Sequence, residues 1–250
     1  MDDGPVAGRR RWLDGAVSAP PLVPTLPLRM RDTEILTVAY RTTPEAVARF
    51  LPPELEPLAP RAIVHLYRMH DAEWFGRYGE SAVHIPARHV ASGTTGAYSP
   101  LLFVEGDGPV AAGREIYGQP KKSGEIELRP VGDLLVGRLR RNGITVITAT
   151  MPYKQQPADL DELDALGFRT NINVKVVPAV DGSGNAIHEL TAREFEDVAV
   201  HELWRGPGTV ELRPNAQAPV HLLPVLEVEI AFHWRVDFTL THGRVLEDLR

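Results

Sequence analysis

The residues from Gly113 to Gly124 hold the grouping with most chemical promise: Gly113-Arg114-Glu115-Ile116-Tyr117-Gly118-Gln119-Pro120-Lys121-Lys122-Ser123-Gly124. A lysine amine is a nucleophile towards carbonyl carbon and forms a Schiff base with a ketone, but only when unprotonated. A free lysine titrates near about 10.4, so at neutral pH it needs desolvation or a neighbouring cation to react. Two adjacent lysines ordinarily mark a solvated surface turn. The surroundings argue otherwise: an apolar run, Pro109-Val110-Ala111-Ala112, precedes the segment, and a strand-like run, Glu125-Ile126-Glu127-Leu128, follows it. Pro120 fixes its own φ and biases Gln119 towards extended backbone, so Lys121 can be aimed into a cavity. In an extended segment Lys121 and Lys122 project to opposite faces. Burial, not the second ammonium, is then the expected activator.

Other constellations carry less. No Gly-x-x-x-x-Gly-Lys-Ser/Thr segment and no Gly-x-Ser-x-Gly elbow occurs. His188-Glu189 and His201-Glu202 lack the second histidine of a helical zinc-protease motif. His65, His70, His84 and His89 lie close together in sequence, yet ordinary strand histidines are the expectation, and no metal or cofactor is assigned.

The elements that would position these groups are mostly strands. Strand signals cover residues 34–40, 62–69, 83–90, 171–177, 187–193, 198–204, 209–212 and 228–240. Asn142-Gly143 between apolar arms at 134–139 and 144–151 predicts a type I′ hairpin. Thr43-Pro44 predicts an N-cap and first helical residue, with Val47, Phe50 and Leu51 inward and a stop at Pro52-Pro53. A short helix is expected over 159–166, ended by Gly167. Asp181-Gly182-Ser183-Gly184-Asn185 reads as a turn, since no helix follows it. Ten or so strands with few short helices predict a mainly β, α+β chain: a barrel or curved antiparallel sheets in one domain over 31–250. Residues 1–30, rich in Pro, Gly and Arg, read as an extended arm.

Composition bounds the partners. The 250 residues carry a formal net charge of −6, which argues against non-specific nucleic-acid binding. No apolar run reaches the roughly 20 residues needed to span a bilayer, and none forms a secretory signal. Without cysteine there is no disulfide framework or thiolate site. A cytoplasmic protein with no membrane or nucleic-acid partner is the expectation.

The segment Gly-Arg-Glu-Ile-x-Gly-x-Pro-Lys-Lys resembles the signature of the acetoacetate decarboxylase family. The likeness extends over about residues 30–250. It includes Val38-x-Tyr40-Arg41-Thr42, Tyr78-Gly79-Glu80-Ser81, Thr148-Ala149-Thr150-Met151-x-Tyr153-Lys154, Asn173-x-Lys175-x-Val177-Pro178 and Val200-His201-Glu202-x-Trp204-x-Gly206-Pro207. The resemblance implies a cone-like β-barrel and a homo-oligomer. It makes Lys121 the Schiff-base residue, Lys122 its companion and Glu80 the catalytic-loop carboxylate. Acetoacetate decarboxylase is itself a standard example of an activated lysine, so that mechanism comes with the resemblance. Gln119, Tyr78 and His65 are expected substrate contacts; Arg114 and Glu115 are expected chiefly as an internal pair supporting the turn, with Arg114 also a candidate substrate contact.

Three positions depart from the family. Its active-site arginine falls on Thr33, with Arg31 close by; its second functional glutamate falls on His65; and an aromatic two before the lysine is Gln119. Gln119 supplies a donor and an acceptor where a ring only packs. Decarboxylation favours a dry pocket, whereas polar walls retain a carboxylate. The imine serves either outcome. The expectation therefore tilts towards aldol condensation and dehydration of pyruvate with an aldehyde, over decarboxylation of acetoacetate or a related β-keto acid. A non-catalytic small-molecule binding barrel is the reading from another class.

Overall fold

A computed structural model describes residues 22–250. The expected arm lies outside the described residues as far as Pro21. Regular structure begins at Leu28, six residues before the expected strand start, so the arm's last three residues belong to the sheet.

The strands, in chain order, are β1 (Leu28–Arg41), β2 (Leu55–Pro57), β3 (Arg61–Ala72), β4 (Gly76–His89), β5 (Thr95–Val104), β6 (Lys121–Ser123), β7 (Glu125–Val131) and β8 (Leu134–Arg141). They continue as β9 (Ile144–Pro152), β10 (Gln156–Pro157), β11 (Thr170–Pro178), β12 (Asn185–Gly206), β13 (Thr209–Leu212), β14 (Glu227–Leu240) and β15 (Arg244–Asp248). Three short helices interrupt them: α1 (Pro44–Phe50), α2 (Asp107–Ala112) and α3 (Leu160–Asp164).

Seven strands close on themselves in the order β4-β3-β1-β14-β12-β11-β5 and back to β4. Neighbours are antiparallel except β5 and β11, which run parallel through the pairs Asn171–Ala97 and Ile172–Tyr98. Closure leaves each of these strands with a lumen face and an outer face, so side chains alternate. On β1, Thr33, Ile35, Thr37 and Ala39 share the lumen face with Ile63, His65, Tyr67 and Met69 of β3. The other β1 face presents Leu36, Val38 and Tyr40 to the second sheet, β13-β9-β8-β7, with Leu135, Leu139, Val146 and Ile147 in the shared core. The barrel wall thus has an apolar layer outside it and a mixed polar interior.

Strong local signals form the turns and caps they predict. Asn142 (φ 52°) and Gly143 (φ 75°) make the hairpin turn between β8 and β9. Thr43 caps α1, its hydroxyl accepting from Ala46 N at 3.1 Å, and Asp159 with Glu162 forms a capping box at α3. The expected strands at 187–193 and 198–204 are one strand, β12, bent by register shifts at Glu196–Ala199 and Val200–Glu202, with Asp197 at φ 49°. Residues 109–112 are helical within α2, and β5 was not anticipated.

Candidate active site

Lys121 and Glu80 meet because of strand order. On β5, Val104 is level with Glu80 of β4, and Leu102 is level with Lys121 of β6. The two positions are two residues apart on β5, hence on the same face. Neighbouring strands lie about 4.8 Å apart, so a lysine side chain can reach across β5 to its far neighbour. Its Nζ donates to Glu80 Oε2 at 2.9 Å, and both residues are under a tenth exposed.

The signature segment is shaped to deliver that lysine. After α2 the helix widens into a π-turn at Gly113–Tyr117, which ends at Gly118 with φ 76°. A Cβ at Gly118 would lie 2.3 Å from Lys175 Cβ, so only glycine lets the turn approach β11. Gln119 N donates to Gly113 O at 3.0 Å, and Lys121 N to Gln119 O at 2.7 Å, a tight turn about Pro120. Thr191 and Lys175 bond the carbonyls of Tyr117 and Ile116 and fasten the π-turn to the barrel. Lys121 passes over Gly113, where a Cβ would sit 2.4 Å from its Cδ.

These groups line a small, largely enclosed cavity with about 50 Å³ of open space inside it. Lys121, Glu80, Gln119 and Tyr78 all face it. Gln119 Nε2 donates to Asn171 Oδ1 at 3.1 Å; Asn171 Nδ2 donates to Ser99 Oγ at 2.6 Å and faces His84 Nε2 at 3.4 Å. Aromatic and aliphatic groups, Phe75, Phe168, Phe195, Phe238 and Met69 among them, complete the wall.

Other expected contacts are placed elsewhere. Lys122 points the opposite way, its Nζ bonded to Gln217 O at 3.0 Å on the exposed side. Arg114 does not line the cavity; its guanidinium donates to Lys121 O at 3.4 Å, supporting the turn, and the described residues show no Arg114–Glu115 ion pair. His65 lies beneath the cavity, fully buried, with Nδ1 2.9 Å from Thr37 Oγ1 and its ring 4.9 Å from that of His84. Thr33 is buried against Met69, and Arg31 is outside, paired with Asp71 at 3.1 Å. The four clustered histidines do not converge: His70 faces Glu34 and His89 bonds Glu247 and Ser92. Among the described residues no set of three His, Asp or Glu is placed to hold a metal ion.

Two groups escaped the sequence reading. Arg193, level with Asn171 across β11 and β12, turns its guanidinium into the cavity between the rings of Tyr117 (5.2 Å) and Phe195 (4.7 Å). His84 also lines it, in the same alternating row of β4 as Tyr78 and Glu80. Burial first, and the Arg193 charge second, hold the His84 imidazole down to about 3. Burial, then His84, likewise keeps His65 well below the usual histidine range, so both rings are neutral. The Tyr78 phenol is pushed well up by burial, with the Glu80 charge adding to the shift and Arg193 opposing it.

Residues 16–249 match the family model described as acetoacetate decarboxylase. "Acetoacetate decarboxylase 2" of Mesorhizobium japonicum is 39% identical over 228 residues, covering 91% of this chain and 86% of the relative. A Chromobacterium violaceum acetoacetate decarboxylase is 39% identical over 91% of this chain and 92% of its own length. The crystal structure of acetoacetate decarboxylase from Legionella pneumophila superposes with a TM-score of 0.88 at 32% identity, covering 95% of this chain and 94% of that one. The enduracididine biosynthesis enzyme MppR complexed with pyruvate shares the fold at a TM-score of 0.74 and 24% identity, covering 95% of each chain. No helix among the described residues is long and apolar enough to cross a membrane. The chain belongs to the acetoacetate decarboxylase family.

Proposed function

We propose that the protein is a Schiff-base lyase that joins a small keto acid such as pyruvate to an aldehyde and expels water. The observation that carries the imine is the Lys121 amine, buried in a cavity and bonded only to the Glu80 carboxylate. Lys121 adds to the ketone carbon and water leaves, giving the imine. Glu80 stands within reach of Nζ to accept and return protons. Loss of a proton from the carbon next to the imine gives an enamine, whose electron pair attacks the aldehyde carbon. Loss of the resulting hydroxyl with a second α-proton, then imine hydrolysis, releases an unsaturated keto acid and the free amine.

The polar wall favours this branch. Gln119, Asn171 and His84 form a hydrogen-bonded polar strip on an otherwise largely apolar wall, and polar groups there suit a carboxylate that stays. A structure of the same fold, MppR, has been solved with the condensation product of pyruvate and imidazole 4-carboxaldehyde. A second reading, decarboxylation of a β-keto acid, is favoured by the relatives named acetoacetate decarboxylase. In it the imine accepts the electron pair left by departing carbon dioxide, and the enamine carbon is then protonated.

Borohydride reduction in the presence of pyruvate or acetoacetate, with peptide mass mapping, tests the shared step. The expected adduct is on the Lys121 peptide; no adduct with any keto acid would sink the imine. Carbon dioxide release from acetoacetate, against an ultraviolet-absorbing product from pyruvate plus aldehyde, separates the branches.

A further inference from the structure

We infer that Arg193 is the receptor for the substrate's carboxylate and fixes the acid end of the ligand opposite the Lys121 amine. The inference rests on the keto-acid reading above and adds the group that recognises the acid.

A buried guanidinium is normally held by a carboxylate or by several carbonyl oxygens, because an unpaired interior charge is costly. Arg193 is 8% exposed, its Nε and Nη1 are fully buried, and neither has a hydrogen-bond partner. Among the described residues it forms no salt bridge; its contacts are the faces of Tyr117 and Phe195. Stacking between two rings holds the plane of the guanidinium fixed while leaving its N–H edge free. That is the arrangement suited to a planar oxyanion.

Charge counting within the cavity points to the same ligand. The charged lining residues are Lys121, Glu80 and Arg193, with His84 held neutral. Lys121 and Glu80 share one proton across a 2.9 Å contact and are neutral as a pair whichever of them holds it, so Arg193 leaves one positive charge in excess. A monocarboxylate neutralises it. His84 also lines the cavity, with Nε2 facing the Asn171 amide nitrogen and Nδ1 buried without a partner.

Position agrees with charge. Gln119, two residues before the lysine, bonds Asn171, and Asn171 is the cross-strand partner of Arg193. The guanidinium is thus held against the Tyr117 ring of the same turn that delivers Lys121, and both groups line one cavity. A carboxylate held there by charge-assisted bonds is retained, which gives the condensation branch its physical basis.

The test compares wild type with Arg193→Gln and Arg193→Lys. Half-saturation for borohydride trapping is measured with pyruvate and with methyl pyruvate, the neutral ester. Lactate, which has the carboxylate but no ketone, is titrated calorimetrically. Arg193→Gln is expected to raise half-saturation for pyruvate at least 30-fold, leave methyl pyruvate within about threefold, and abolish lactate binding. Arg193→Lys restores part of the pyruvate preference. Because the parent carries an uncompensated charge, Arg193→Gln is also expected to melt no lower than wild type. Equal losses for acid and ester, or unchanged lactate affinity, would overturn the assignment, as would a lowered melting temperature with no change in acid preference. Absence of any wild-type adduct while lactate still binds through Arg193 would instead refute the imine reading and leave the carboxylate site standing.

Discussion

Gly113→Ala isolates the delivery of the lysine from the stability of the fold. Gly113 has helical backbone, φ −61° and ψ −43°, so alanine strains nothing there and by propensity alone gains about 0.5–1 kcal/mol. The new methyl would lie 2.4 Å from Lys121 Cδ, 2.7 Å from its Cε and 2.9 Å from Gln119 Oε1. Carbon atoms in contact sit about 3.5–4.0 Å apart, so the lysine chain must retreat by about 1 Å or more. What yields is a flexible side chain, not backbone, so the barrel survives while Nζ leaves its place beside Glu80. A misplacement of about 1 Å costs about 100-fold in a reaction that depends on alignment, equivalent to about 2.7 kcal/mol of barrier. The assay is the rate of borohydride-trapped adduct with pyruvate, read by intact mass, beside a thermal melt. Trapping within threefold of wild type in a variant that melts normally would refute the claim that the signature glycine exists to pass the lysine.

Other outcomes follow from the same geometry. Lys122→Gln is expected to trap pyruvate at Lys121 within a few-fold of wild type, since the Lys122 amine faces Gln217 outside the cavity; a loss matching that of Lys121→Ala contradicts this. Lys121→Ala leaves Glu80 buried without its partner and should lower unfolding free energy in urea by about 3–5 kcal/mol, as broken buried pairs do. Lys121→Met combined with Glu80→Gln should recover most of that loss, and failure to recover it would mean the pair is not the cause. Because burial depresses His84 to about 3 and also lowers His65, the unfolded chain binds more protons than the native one between about pH 3 and pH 6.5. Stability is therefore full above that window and falls as pH drops through it, by about 1.4 kcal/mol per unit for each ring. Urea melts from pH 7 to pH 4 should show His84→Asn with a shallower fall than wild type, and an unchanged slope would remove His84 from the account.

What could be read from the sequence was local. Thr43-Pro44, Asn142-Gly143 and the β-branched run of β9 each specify their own backbone, and each formed as read. The charged stretch Glu194, Glu196 and Asp197 separates two expected strands in the sequence, whereas the bulged strand β12 carries these charges on its exposed outer side. β5 was missed because Ser99-Pro100 interrupts its apolar pattern. The pairing of Lys121 with Glu80 spans 41 residues and depends on β5 lying between their strands, which no spacing rule contains. The family resemblance names both residues for the site, but not their contact. Arg193 had no such help: a charged residue near the end of an expected strand reads as solvent-facing until closure of the barrel turns that position inward.

The departures from the family pattern then take on a common sense. The positions expected to carry an arginine and a glutamate hold Thr33 and His65, both fully buried and both behind the cavity wall. Neither contributes charge: Thr33 has none, and burial keeps His65 neutral. The cavity's third charge comes from β12, through Arg193. On the reading proposed above, the acid is held from β12 and not from the positions of Thr33 and His65, so it meets the Lys121 amine from a different side. Under that proposal Lys121 and Glu80 begin the chemistry, and the acid's anchor on Arg193 sets which bond of the bound fragment is aligned to break.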